Sequence, residues 1–323
     1  MFNVRTDLAL EKSEIFKKHT KGEIDGIIVE EENIDEIKVT TVNVINEEGK
    51  KKIGKDIGKY ITIDMPICNS YDFGMTESAA HILAGCLEKV INIKKNDLAL
   101  VVGLGNSDVT PDSLGPNVVS KILVTRHLSE LAPEEMSDEL RLVCAISPGV
   151  LGNTGIESAE IIKSIVDKLK PAVVICVDAL ASRKLSRVSR SIQISDTGIS
   201  PGGGVGNNRM KINKETLGVP VIAVGVPMVV DAGTIANDAI DLVIDELIEK
   251  TDNKDFYEML KNIDRNEKSI MIRNLLNPYV GDLIVTPKEI DEIISCTSKV
   301  IANGINIALQ PDIDSMEIME FSK

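Results

Sequence analysis

With 323 residues, 43% of them hydrophobic, the chain can bury one large α/β domain or two small ones. Its 36 basic against 50 acidic residues leave a net charge of -14, so the surface repels phosphate backbones and direct nucleic-acid binding is not expected. The absence of tryptophan and an aromatic content of 3% argue against base-stacking platforms and aromatic-lined sugar clefts.

The N-terminus, MFNVRTDLALEK, has no long apolar stretch behind a basic start. The longest apolar region, about Val219 to Val230, is interrupted by Gly225 and Pro227, so neither an export signal nor a membrane span is expected. From Ile27 to Ile63, β-branched runs such as Lys38-Val-Thr-Thr-Val-Asn-Val44 alternate with charged turns, which predicts a small β region. Glu77 to Ile93 carries Ala79, Ala80, Ile82, Leu83, Leu87, Val90 and Ile91 at the spacing of an amphipathic helix.

Leu98 to Gly105 is a continuous apolar run ending in glycines, as in a strand buried on both faces. A loop with Asp108, Pro111 and Asp112 follows, then a helix expected from about Pro116 to Leu131. Further strands are predicted at Leu142–Ile146, Ala172–Asp178 and Val219–Gly225, with a helix at Gly155–Leu169 between the first two. After the last strand come a helix containing Ile235 to Leu247, a charged stretch from Lys250 to Lys268 read as an exposed helical excursion, and a final helix from about Pro287 to Leu309. Strands and helices alternating at these lengths predict an α/β fold: a mostly parallel sheet flanked by helices. The five cysteines, Cys68, Cys86, Cys144, Cys176 and Cys296, form no CxxC pair and are read as free thiols.

In such sheets, function gathers at the carboxyl ends of the strands. Asp112 sits just beyond the Leu98–Gly105 strand, and Asp178 closes the apolar run Ala172–Val177. A carboxylate ending so apolar a strand needs solvent, hydrogen bonds or a group that shares its proton. Facing one another, the two acids could activate water and protonate a leaving nitrogen. The plainer alternative is that Asp112 caps the following helix and Asp178 bonds a loop amide.

Other chemistries find less support. Gly103-Leu-Gly105-Asn-Ser-Asp108 puts an acid where the dinucleotide fingerprint needs its third glycine. Pro201-Gly-Gly-Gly-Val-Gly-Asn207 lacks the Lys and Ser or Thr of a P-loop and reads as a flexible loop or close backbone approach. The three histidines, His19, His81 and His127, offer neither a zinc-site spacing nor a base beside a GxSxG serine. Cys144 and Cys176 lie within predicted strands and read as core residues.

Several motifs, in order along nearly the whole chain, resemble the germination protease family of spore-forming bacteria. They are Val101-Val-Gly-Leu-Gly-Asn106 with Val109-Thr-Pro-Asp-Ser-Leu-Gly-Pro116, Ser147-Pro-Gly-Val150 with Thr154-Gly-Ile-Glu157, and Val177-Asp-Ala-Leu-Ala-Ser-Arg183. Ile192-Gln-Ile-Ser-Asp-Thr-Gly198, Gly218-Val-Pro-Val-Ile-Ala223 and Val285-Thr-Pro-Lys-Glu289 continue the likeness. The resemblance implies a fold like that of hydrogenase maturation endopeptidases. It implies an endopeptidase that degrades small acid-soluble, DNA-coating spore proteins at germination, working as a homotetramer in the cytoplasm of the forespore and the spore core. By the same resemblance Asp112 and Asp178 are the catalytic pair; the maturation endopeptidases hold nickel with a histidine among the contacting groups, and since none of the three histidines here lies near a candidate loop, no metal or other cofactor is expected.

The resemblance also implies a zymogen. Thr6-Asp7-Leu8-Ala9 with Glu11 is similar to the acid, apolar, Ala, x, Glu pattern that the family cuts, so self-cleavage between Asp7 and Leu8 would release residues 1–7. Residues 8–323 would then be a single catalytic domain, with a β-rich portion at about 25–65, an α/β core at about 75–250 and a helical C-terminal part at about 251–323. An acid trigger is expected, because acid changes the shared protonation of a carboxylate pair. Two other readings remain at this point: a metal-dependent maturation-type endopeptidase with the aspartates as ligands, and a binding module that holds the same proteins without cutting them.

Overall fold

In a computed structural model of the chain, the structure describes residues 7–19, 25–131, 140–202, 209–251, 253–280 and 283–321. Residues 1–6 of the expected propeptide, and most of the 201–207 glycine cluster, lie outside the described residues.

The chain opens with α1 (Ala9–His19), then β1 (Ile27–Ile34), β2 (Ile37–Val44), α2 (Glu47–Ile53) and β3 (Gly58–Asp64). Next come α3 (Phe73–Glu88), β4 (Ala99–Gly103), a 3₁₀ turn at Thr110–Asp112, α4 (Leu114–Val119), α5 (Arg126–Leu131) and β5 (Val143–Ile146). α6 (Leu151–Thr154), α7 (Ser158–Leu169), β6 (Val173–Ser182), β7 (Ser191–Ser195) and α8 (Lys214–Leu217) lead to β8 (Val221–Asp231). α9 (Ala232–Lys250), α10 (Lys254–Lys261), α11 (Arg265–Val280), β9 (Ile284–Val285), α12 (Ile290–Leu309) and α13 (Ser315–Phe321) complete the order.

The α/β class is as expected. A nine-stranded sheet runs β1-β2-β3-β7-β8-β6-β4-β5, with β9 beside β8. The central strands β8, β6, β4 and β5 pair in parallel, and antiparallel pairings through β7 and β3 join β1–β3 to the same sheet. The strand directions are therefore mixed. The link from Arg183 to Arg190 is too short for a crossover, so β7 returns beside β8 with the opposite sense.

β4 and β6 carry near-continuous apolar runs because both faces of the sheet are covered. One face buries Val101, Ile175, Val177 and Val224 under α3, α4 and α12. The other packs Leu100, Val102, Val174, Cys176 and Leu180 against Ala159, Ile162 and Val166 of α7, whose spacing makes one apolar stripe. Full burial of a side chain such as Ile162 contributes about 1.5–3 kcal/mol.

Two expectations need correction. The helix predicted over 116–131 is broken between α4 and α5. There Leu123 N–H donates to Asn306 Oδ1, Thr125 N–H donates to Val143 O, and the Thr125 hydroxyl bridges Arg141 O and Val143 N–H, so tertiary partners replace helical hydrogen bonds. Cys68 and Cys296, read as free thiols, form a disulfide between the segment before α3 and α12. They lie 228 residues apart, and only the packing of α12 on α3 brings them together. Cys86, Cys144 and Cys176 are free, and burial raises the thiol pKa of each.

Candidate functional site

Asp178 does not end its strand as expected. β6 continues to Ser182, and the last pairing with β4 is Gly103 to Val177, so Asp178 is the first β6 residue beyond the end of β4. It therefore lies just past the carboxyl end of β4, although its own strand runs on. Its carboxyl is buried, and Oδ1 accepts a hydrogen bond from the adjacent Ala179 N–H at 3.0 Å. Burial, then the charges of Asp112 and Asp7, hold its pKa well above the usual carboxylate range.

Asp112 ends the 3₁₀ turn that follows β4. It does not cap α4: Ser113 occupies that position, without a side-chain cap bond. Instead Asp112 Oδ2 accepts from Asn106 N–H at 2.8 Å, which folds the loop back onto the strand end. Gly105 adopts φ 110, and a Cβ there would lie 2.0 Å from Asp112 O, so the loop closes only around glycine. Burial raises the Asp112 pKa, partly offset by the Asn106 hydrogen bond. Both carboxyls thus have raised pKa values, and Asp178 feels the charge of Asp112.

The second acid acting on Asp178 is Asp7, from the far end of the chain. Residues Asp7 to Glu11 lie across the β6 and β7 strands. Asp7 N–H donates to Ala181 O at 3.2 Å, and Asp7 Oδ2 accepts from Ala181 N–H at 3.0 Å. The Asp7 carbonyl oxygen accepts from Lys55 Nζ at 2.6 Å and from Gln193 Nε2 at 3.3 Å, while Gln193 Oε1 accepts from Ala9 N–H at 2.6 Å. The Gln193 amide thus grips the chain on both sides of the Asp7–Leu8 peptide bond.

Leu8 is fully buried in the apolar cluster that includes Leu180, Ile212 and Leu217. Ala9 and Leu10 pack with Val42, Ile53 and Tyr60. The Glu11 carboxylate is buried and accepts from Arg183 N–H and Lys184 N–H, both at 2.8 Å. The Ser182 hydroxyl lies 2.9 Å from Glu11 Oε1 and 2.7 Å from Lys184 O, so its single proton is shared between them. One turn on, Glu14 pairs with Lys184 and with Arg187. Burial opposes its ionisation, but the hydrogen bonds and charges of Arg187 and Lys184 outweigh that and leave its pKa below the usual range.

Beside Asp7 a cleft of about 520 Å³ is lined by Lys12, Lys55, Lys211, Asp56, Tyr60 and Gln193, among others. In register across the sheet, Asp178, Gly225 and Gln193 occupy neighbouring positions on β6, β8 and β7, and therefore share one face. A Cβ on Gly225 would come within 2.4 Å of Leu180 Cδ1, so glycine leaves room for that side chain beneath Leu8. Among the described residues no group of three or more His, Cys, Asp or Glu side chains is arranged to hold a metal ion. Nor, among them, is any helix long and apolar enough to cross a membrane.

The structure brings Asp112 and Asp7 each within electrostatic reach of Asp178. Sequence reasoning missed Lys55, Gln193 and the Ser182–Lys184 amides. Gln193 left one signal, a polar residue between Ile192 and Ile194 in a strand buried at every position. Lys55 left none, since it follows a run of lysines with nothing to distinguish it.

A family model described as germination protease matches residues 4–255 and 244–322. A germination protease of Clostridium perfringens is 60% identical over 323 residues, covering 99% of each chain. One of Clostridium tetani is 55% identical over 320 residues, again 99% of each, and one of a Geobacillus species is 40% identical over 356 residues, 97% of this chain and 95% of that one. Among solved structures, a NiFe hydrogenase maturation protease, HycI of Thermococcus kodakarensis KOD1, is 21% identical and covers 44% of this chain and 80% of its own, with a TM-score of 0.28.

Proposed function

The chain belongs to the germination protease family, and on that premise we propose that it is a self-processing endopeptidase that cuts its own Asp7–Leu8 bond and then small acid-soluble spore proteins. Residues 1–7 form the propeptide, and Asp112 and Asp178 act as an aspartic-type pair on water. The observation that carries this reading is the docked segment: an acid, an apolar residue, an alanine and a glutamate at the spacing of a cut site, each held by a matching group.

The electrostatics support distinct roles for the two acids. Asp178, buried and beside other carboxylates, favours its protonated form and suits the general acid. Asp112, whose pKa is raised by burial but held back by the Asn106 N–H and pushed no further by a neighbouring carboxylate, suits the base that takes a proton from water. Water adds to the Asp7 carbonyl carbon as Asp112 accepts its proton. The tetrahedral intermediate then collapses, the bond to the Leu8 nitrogen breaks, and that nitrogen takes a proton from Asp178. The products are a carboxylic acid at Asp7 and an amine at Leu8.

The recognition of substrates follows from the same contacts. An acid before the cut bond would meet Ala181 N–H, an apolar residue after it the Leu8 pocket, and a glutamate three further on the Arg183 and Lys184 amides. Assembly into a homotetramer is part of the proposal, supported by the exposed apolar side chains Leu242 and Val243 of α9 and Leu275 of α11. So is action in the forespore and spore core.

The test is intact-mass and N-terminal analysis of the incubated precursor, with a Thr-Glu-Phe-Ala-Ser-Glu peptide cut in trans. A new N-terminus at Leu8 and a cut after the first Glu are expected, and Asp178→Asn and Asp112→Asn should each abolish both. Cutting by either variant at the unmodified rate would remove that aspartate from the mechanism. An uncut precursor and peptide would reject the protease reading.

A further inference from the structure

The contacts made by the Asp7 carbonyl oxygen concern the reaction itself. If Asp7–Leu8 is the bond cut, as proposed above, that oxygen is the atom on which negative charge develops when water adds. Its donors are Lys55 Nζ at 2.6 Å and Gln193 Nε2 at 3.3 Å, reached across 48 and 186 residues of sequence.

Neither contact is the product of helix or sheet geometry. Lys55 follows Gly54, whose left-handed cap (φ 63) ends α2 and turns the chain toward the cleft. Gln193 is nearly buried within β7, where an apolar residue would be the ordinary choice, and both ends of its amide are used on the Asp7–Ala9 segment. Two other lysines of the cleft are answered differently. Lys211 and Lys50 pair with Asp56, whereas among the described residues no carboxylate lies within ion-pairing distance of Lys55 Nζ. A half-buried ammonium aimed at a carbonyl oxygen is costly to hold unless charge appears there.

We propose that Lys55 and Gln193 are further catalytic residues of this protease, which together hold the scissile carbonyl oxygen and stabilise the oxyanion formed on it. As water adds to the carbonyl carbon, the carbonyl π electrons move onto oxygen, and the Lys55 ammonium and the Gln193 amide N–H carry that charge. When the carbonyl re-forms and the carbon–nitrogen bond breaks, both donors return to the new carboxyl of Asp7 with no proton exchanged. Gly225 of β8 lies between Gln193 of β7 and Asp178 of β6 in the register, so the Gln193 amide and the acid share one face of the sheet with one strand between them. A substrate in trans would present the carbonyl of its own acidic residue to the same pair. The surroundings favour a strong effect: burial, then the charge of Lys12, lower the Lys55 pKa to about 8, the mark of a poorly solvated cation.

The experiment compares full-length wild type, Lys55→Met, Gln193→Met and Asp178→Asn for self-processing and for cutting of the Thr-Glu-Phe-Ala-Ser-Glu peptide. Circular dichroism confirms folding. Removal of a donor to an oxyanion costs about 10²–10³ in kcat, so Lys55→Met should fall by that factor, with KM moving much less, and Gln193→Met by on the order of tenfold or more. The two variants read the proposal separately, so it stays testable if one of them does not fold. Lys55→Met should also lose any decline in rate above about pH 8, a change that a merely structural lysine would not produce. Unchanged kcat in a folded variant, with Asp178→Asn inactive, would overturn this inference and leave the proposed function standing. A wild-type precursor that never yields Leu8 as its N-terminus would overturn both.

Discussion

Replacing Glu11 by alanine tests the docked segment most directly. Its carboxylate is buried and accepts two backbone N–H groups at 2.8 Å, with the Ser182 hydroxyl at 2.9 Å and the Arg187 guanidinium at 3.9 Å. A hydrogen bond to a charged group contributes about 1.5–3 kcal/mol, and truncation also strands the Arg183 and Lys184 donors. The Ser182 proton is shared with Lys184 O, so counting it in full would overstate the loss. About 3–5 kcal/mol is a reasonable total, comparable to breaking a buried charge pair. At about 1.4 kcal/mol per tenfold, docking of the segment falls by on the order of 10²–10⁴. What remains is the burial of Leu8, about 1.5–3 kcal/mol, and the paired bonds of Asp7 with Ala181. Hydrogen exchange on the full-length chain should therefore show protection of 9–14 reduced by up to that factor, with self-processing slowed in parallel. Glu11→Gln, which keeps the shape and one acceptor, should lie between. Wild-type protection and processing in Glu11→Ala would show that the carboxylate does not hold the segment, and the glutamate-reading site would have to be abandoned.

The remaining predictions concern charge, packing and the disulfide. Asp178→Asn should be inactive yet unfold at higher temperature at neutral pH, because a buried carboxyl with a raised pKa opposes folding once it must ionise. The sign follows from linkage: below the unfolded value near 3.8 the group has no effect, and as pH rises from there through the folded pKa the unfolded chain gains by ionising. The stability advantage of the variant should thus grow with pH in a series of thermal melts, and a difference that is constant or shrinks would contradict the raised pKa. Gly225→Ala places a Cβ 2.4 Å from Leu180 Cδ1, so a loss of about 1–3 kcal/mol in a denaturant titration is expected, together with slower self-processing. Alkylation of the unfolded, unreduced chain should label three cysteines, and all five after reduction; reduction should lower stability by about 2–4 kcal/mol.

Much of the fold was legible in local pattern. The apolar runs at 98–105 and 172–178 and the stripe Ala159, Ile162, Val166 depend only on side-chain period, and they became β4, β6 and α7. The break between α4 and α5 was not legible, because residues far along the chain, Asn306 and Val143, take the hydrogen bonds that a helix would have kept. The length of β6 was missed for a similar reason: the polar positions Asp178 and Ser182 look like a strand end, but β8 pairs with them as far as Val230.

The candidate site divides along the same line. By itself the sequence determined that the chain is an α/β protein with acids at positions 112 and 178 after long apolar runs, and with an acid, apolar, alanine, x, glutamate run near its start. Only the tertiary structure decided that this run lies across β6 and β7, that Asp7 adds its charge to Asp178, and that Lys55 and Gln193 meet the Asp7 carbonyl. Hydrophobic period is a property of neighbours in the chain and survives without the fold. A contact between residues 7 and 193 is set by burial summed over the whole sheet, and no stretch of sequence around either residue carries it.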